Sequence, residues 1–113
     1  MKRLIAFVLF IFSSFYLFGQ DKDIVTEHYN VNGLCDQCKK RIEDAAYIRG
    51  VKKAEWNVET HDLTITYRPS KTSSETILTS IAKAGHDNEL IKATDKDYKE
   101  LPSCCYYRTI KKQ

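Results

Sequence analysis

Along residues 24–93 the apolar positions switch between a period near two and a period near 3.6, and each switch marks an expected element. Val25, Tyr29 and Val31 fall at even spacing within Ile24–Val31, which predicts a strand with one buried face. Asn32, Gly33 and Leu34 break it. From Asp36 to Arg49 the residues Cys38, Ile42, Ala45, Ala46 and Ile48 approximate helical spacing, with Gly50 in the C-terminal capping role. Ala54, Trp56 and Val58 then alternate with polar residues, as do Leu63, Ile65 and Tyr67, and the polar run Glu59–Asp62 between them predicts a hairpin. Pro69 ends it. Thr72 and Glu75 have capping-box spacing for a second helix, whose Ile77, Ile81 and Ala84 share a face and which Gly85 closes. Glu89–Ala93 is short and β-compatible, and is expected as a last strand. The order βαββαβ predicts an α+β, ferredoxin-like sandwich: a four-stranded antiparallel sheet with both helices on one face. The domain is expected over 23–94, followed by a tail over 95–113 whose first part, with Pro102, reads as linker before Cys104-Cys105.

The apolar run at the front belongs to none of these elements. Leu4 to Phe18 is interrupted only by Ser13 and Ser14, follows Lys2 and Arg3, and holds all five Phe of the chain. This reads as a secretory signal over residues 1–19. Its 15 residues fall short of the ~20 that a membrane helix requires. A periplasmic or secreted protein with no membrane span in its mature form is therefore expected, and an integral channel or pump is not.

Removing the leader changes the charge. The whole chain carries 18 Lys+Arg against 15 Asp+Glu, but without Lys2 and Arg3 the balance is 16 against 15, or +1. A nearly neutral surface argues against nucleic acid, because phosphate contacts need a basic excess. The expected domain is small enough to bury only about 60% of its unfolded surface, which leaves little room for a deep catalytic pocket. No Ser/His/Asp set or phosphate-binding glycine loop is present, so an enzyme is not expected.

The chemistry concentrates in Cys35-Asp36-Gln37-Cys38 at the first strand-to-helix junction. Two thiols three residues apart, one in a loop and one in the first helical turn, can converge on one centre. The helix N-terminus and the neighbouring Lys39, Lys40 and Arg41 favour thiolate, the form that binds soft metals or attacks disulfides. On spacing alone the pair is equally a redox couple, half a zinc site or a structural disulfide. The chain is too small, and its element order wrong, for a thioredoxin-like domain.

The segments NGLCDQCKKRIEDA, GVKKAEWNVETHDLTITY and ILTSIAKAGHDNELI resemble the heavy-metal-associated domain family of copper chaperones, mercury-scavenging periplasmic proteins and metal-ATPase N-terminal domains. The likeness spans residues 24–93 and includes the CxxC pair, Ile42-Glu43, Gly50-Val51 and Ala84-Gly85. It implies that Cys35 and Cys38 ligate the metal. Two departures stand out: Gly33 occupies the position where the family usually has Met, and the first helix is one residue shorter before Gly50-Val51. The position after Ala-Gly, commonly aromatic and beside the metal in the family, is His86 here. Its imidazole is a candidate third ligand or a packed ring. His61 on the hairpin and His28 in mid-strand are expected to be solvated.

The tail pair Cys104-Cys105 admits four readings: a second soft-metal donor pair, a lid that completes a four-sulfur site, disulfides with Cys35 and Cys38, or intermolecular thiols. Ten residues separate it from Thr94 and span about 33 Å extended, enough to return to the CxxC end. Soft thiolates select Cu(I) first, then Hg(II) or Zn(II). The expected function is an exported metallochaperone or scavenger that transfers metal by ligand exchange to a transporter or efflux component. A periplasmic thiol-disulfide carrier using the same four cysteines is the rival. A monomer is expected, with a metal-bridged dimer as the other state. Lys39, Lys40, Arg41, Lys52 and Lys53 would present a basic docking face or simply a solvated helix surface.

Overall fold

A computed structural model describes residues 23–109, so the expected export signal over 1–19 lies outside the described residues. Among those described, no helix is long and apolar enough to cross a membrane. Strands β1 (Val25–Asn30), β2 (Val51–Trp56) and β3 (Asp62–Tyr67) form one antiparallel sheet in the order β1-β3-β2. Helices α1 (Asp36–Ala46) and α2 (Ser74–Lys83) pack their apolar stripes on it. β3 is central, and its alternation puts Leu63, Ile65 and Tyr67 in the core against Ile42, Ile77, Leu78 and Ile81. The two helices are tied by Ser80, whose hydroxyl donates to the Ala45 carbonyl at 2.7 Å.

Among the described residues the sheet has three strands rather than the expected four. Residues 87–89 do approach the edge of β1: Val31 and Asn88 form an isolated antiparallel bridge, and the Glu89 amide donates to the Asn30 carbonyl. Beyond Glu89 the pairing stops because side chains take the backbone donors that a ladder would use. Asn88 Oδ1 accepts from the amides of Leu90 and Ile91, and Asp87 Oδ1 accepts from Ala93. Asp and Asn compete with the backbone in this way, folding a segment whose apolar spacing alone suits a strand.

Two helix ends also differ from expectation. α1 stops at Ala46, with Tyr47 as C-cap, and Gly50 instead forms the turn into β2 at φ 97°. Ser73, not Thr72, caps α2, accepting from the Thr76 amide at 3.1 Å. Gly85 closes α2 as expected, at φ 104°.

The tail is no linker. Thr94 caps a short helix α3 (Asp95–Lys99) by accepting from the Asp97 amide, and Tyr98, Leu101 and Cys105 are buried in the same core as the sheet. Two 3-10 turns follow, Ser103–Cys105 and Tyr107–Thr109. Their anchor is Arg108, which meets both carboxylate oxygens of Asp87 at 2.7 and 3.1 Å, donates to the Ala93 carbonyl, and lies over the Tyr98 ring. Tyr98, Leu101 and Cys105 have helical spacing in the sequence, and Thr94 stands three residues before Asp97. Those were the legible signals for packing, outweighed by the polar residues around them and by Pro102.

Candidate metal centre

β1 ends at Asn30, and the loop through Gly33 and Leu34 delivers Cys35 to the N-cap of α1 with extended backbone. A hydroxyl or carboxylate at this position would cap the helix. Cys35 makes no capping hydrogen bond, but the Cys38 amide, then the Cys38 thiol and the Gln37 amide, favour its thiolate. These hold its pKa below the usual thiol value despite partial burial. One turn on, Cys38 is fully buried, with its Sγ 3.6 Å from Cys35 Sγ. One sulfur is thus near the surface and disposed to ionise, while the other anchors the pair from within.

Gly33 stands where a side chain finds no room. A Cβ there would lie 2.9 Å from Trp56 Cη2 and 3.0 Å from Cys38 Cβ. The indole occupies that space, its Nε1 donating to the Val31 carbonyl at 3.0 Å and its ring stacking on His61. Sequence reading placed Trp56 on a strand but did not identify it as the floor of the cysteine loop. Only the tertiary contact of β2 with that loop reveals it.

The tail brings a third sulfur to the pair. Cys35, Cys38 and Cys105 have Sγ atoms all within 4.8 Å of one another. Cys105 is fully buried, and burial, followed by the neighbouring Cys38, pushes its thiol well above the ordinary range. Cys104 lies at the edge of this group: it is exposed, its Sγ stands 3.9 Å from Cys105 Sγ and donates to Gln37 Oε1 at 2.7 Å, and its carbonyl faces Cys35 Sγ. All four cysteines are free thiols.

His86 lies outside this three-sulfur group. Its ring is buried and stacks on Tyr107, and its Nδ1–H donates to the Asn32 carbonyl at 2.8 Å, leaving Nε2 buried without a partner. The imidazole packs on Tyr107 and supports the start of the cysteine loop through Asn32. His28 is solvent-facing and paired with Asp62, and His61 is half-buried on Trp56 rather than solvated. The basic residues of α1 are largely committed within the chain. Lys39 bridges Glu43 Oε2 and the Trp56 carbonyl, Arg41 donates to the Ala84 carbonyl, and Lys40 pairs with Asp44. A charge reversal at Lys39 therefore disturbs the Glu43–Trp56 connection as well as surface charge.

Burial, opposed by the Asn32 carbonyl, lowers the His86 pKa below its ordinary 6.5. Below that pH the unfolded chain takes up a proton that the folded chain refuses, so stability falls as pH drops. The His86 contribution to the slope approaches at most about 1.4 kcal/mol per pH unit. Urea denaturation between pH 7 and pH 5 should show a shallower decline in His86→Phe than in the native protein. Equal slopes would show that His86 is not the group responsible.

Comparison with known proteins agrees with this geometry. A copper-exporting P-type ATPase of Staphylococcus epidermidis is 34% identical over 73 residues, which make up 63% of this chain but only 9% of the ATPase. The CopZ metallochaperone superposes with a TM-score of 0.55 at 32% identity, covering 57% of this chain and 98% of CopZ. The apo N-terminal domain of the zinc(II) ATPase ZiaA is 36% identical with a TM-score of 0.50, covering 57% of this chain and 63% of that domain. The heavy-metal-associated domain matches residues 28–87, from mid-β1 to the aspartate that anchors the tail. Because that match takes in more than half of the chain and the whole cysteine loop, the chain belongs to the heavy-metal-associated domain family.

Proposed function

We propose that this protein is an exported soft-metal carrier that loads one Cu(I) through Cys35 and Cys38 and passes it on by ligand exchange. It acts without catalysing a chemical conversion. The observation that carries the reading is the pair of sulfurs 3.6 Å apart at a helix N-terminus, one accessible and favoured as thiolate, the other buried. An incoming thiolate reaches the metal from the Cys35 side while Cys38 still holds it, so exchange proceeds without free ion. Soft sulfur donors favour Cu(I), with Hg(II) and Zn(II) as the competing cargoes. The similarity to the copper-exporting ATPase and to CopZ supports copper, and a transporter's metal-binding domain is the corresponding recipient. Export rests on the leader over residues 1–19, and a monomer suffices for the site.

Titration of the reduced protein with Cu(I) against a chromogenic chelator should give one tightly bound ion per chain. The Cys35→Ser/Cys38→Ser double variant should lose it. Unchanged affinity in that variant would sink the proposal. A reversible loss of two hydrogen atoms, that is two protons and two electrons, by mass spectrometry of the metal-free native protein, with no copper uptake, would favour a thiol-disulfide carrier instead.

A further inference from the structure

We propose that the folded C-terminal segment belongs to the metal site and that Cys105 supplies a third thiolate, so that the soft ion sits among three sulfurs. This rests on the reading of Cys35 and Cys38 as metal ligands and extends it to a residue outside the matched family region, which ends at residue 87.

The spacing of the first two sulfurs already asks for a third. With the ~2.3 Å bond that zinc makes to thiolate as a yardstick, two sulfurs in linear coordination stand about 4.6 Å apart, and three in trigonal coordination about 4.0 Å apart. At 3.6 Å, Cys35 and Cys38 subtend an angle of only about 103° at such an ion, bent far from linear and open on one side. Cys105 lies on hand for that opening. Its sulfur joins the other two with every separation within 4.8 Å, a limit that admits the trigonal spacing of about 4.0 Å.

The position of Cys105 is built, not incidental. Three residues on, Arg108 is held by Asp87, the Ala93 carbonyl and the Tyr98 face, and its amide donates to the Tyr98 hydroxyl. Next to it, the Tyr107 hydroxyl donates to the Gly85 carbonyl and accepts from the Asp87 amide, each at 2.7 Å. On the other side, the Cys105 amide donates to the Pro102 carbonyl. A cysteine serving only as a small apolar filler has no need of two sulfurs as neighbours. Cys104, exposed and bonded to Gln37, lies at the edge of the group, 3.9 Å from Cys105 Sγ but outside the set whose separations all fall within 4.8 Å, so the adjacent pair divides into one ligand and one surface thiol. On loading, each thiol that joins releases its proton to solvent and the copper remains Cu(I), so no oxidant or reductant enters. Release to an acceptor then requires displacement of Cys105 as well as of Cys35, which makes the closed site slower to give up its ion than an open CxxC loop.

X-ray absorption on the Cu(I)-loaded protein counts the sulfurs directly. Three are expected in the native protein and in Cys104→Ala, and two in Cys105→Ala, with the affinity of Cys105→Ala for Cu(I) reduced about tenfold or more. A native count of two overturns the proposal whatever the variants do, and so does a count of three that persists in Cys105→Ala. Cys105→Val, which keeps an apolar group of similar size, serves if the alanine variant does not fold. The two readings fail separately. Copper held by only two sulfurs defeats the three-sulfur site alone, whereas copper bound equally well without Cys35 and Cys38 defeats the carrier reading itself.

Discussion

Trp56→Ala is expected to destabilise the domain by about 3–5 kcal/mol, the range for removing a buried aromatic side chain. Trp56 is fully buried, and three independent connections pass through it. Its indole N–H satisfies the Val31 carbonyl at the end of the first strand, its backbone amide donates to Glu43 Oε2, and its carbonyl receives Lys39. The first of these is lost with the side chain, leaving the carbonyl unpaired in the interior, which adds on the order of 1 kcal/mol or more. Against a typical total stability of about 5–15 kcal/mol, such a loss brings a small domain close to unfolding. The ring also closes the space beside Gly33 and Cys38, so its removal loosens the cysteine loop. Trp56→Phe separates the two effects: it keeps most of the volume, loses only the indole hydrogen bond, and should cost about 1–2 kcal/mol. Urea midpoints for both variants, measured beside Cu(I) competition, check this; a Trp56→Ala protein as stable as the native one would show that the loop does not rest on the ring.

Asp87→Ala is expected to cost about 2–3 kcal/mol and to free the C-terminal segment. Removing one partner of a buried ion pair typically costs more, but Arg108 keeps a quarter of its side chain in water and can recover part of its solvation. The aspartate holds three donors: the Ala93 amide and two nitrogens of Arg108. Burial pushes its carboxyl up, but the Arg108 hydrogen bond, the Ala93 amide and the Arg108 charge outweigh it and hold the pKa below its ordinary 3.8. The sign follows directly. The contribution is fully present above pH 3.8 and is lost as pH falls through the lower folded value. Two measurements test the variant together: its urea midpoint and the alkylation rate of Cys105, which full burial protects in the native protein. A lowered midpoint with Cys105 still protected would mean that the segment is held by Tyr98, Leu101 and Tyr107 rather than by the ion pair.

These two residues also mark where reading the sequence stops. Trp56 is recognisable as an inward strand residue from its alternation with Lys53, Glu55 and Asn57, but nothing local says that its ring faces Gly33, 23 positions earlier. Asp87 and Arg108 are 21 residues apart with no pattern linking them. The expected last strand does not form, for a related reason. The periodicity of Glu89–Ala93 is compatible with a strand, but the side chains of Asp87 and Asn88 take the amides that the ladder requires. The three-sulfur group shows the same limit. Cys35 and Cys38 are three apart and meet through one helical turn, whereas Cys105 reaches them only because Tyr98 and Leu101 fold the tail back onto the core.

By itself, then, the sequence determined the element order from β1 to α2, the strand alternation, the left-handed glycine that ends α2 and the placing of the cysteine pair at a helix start. Periodicity, backbone conformation and helix-terminal electrostatics act over a few residues and are written in the order of the chain. The tertiary structure alone decided that the sheet of the described residues has three strands, that the His86 ring packs on Tyr107 outside the three-sulfur group, that Lys39 is tied to Glu43 and the Trp56 carbonyl, and that Cys105 meets Cys35 and Cys38 while Cys104 stays exposed at the edge of the group. Each of those outcomes is a competition between groups distant in sequence for the same hydrogen bond or the same volume, and such a competition has an outcome only once the chain is folded.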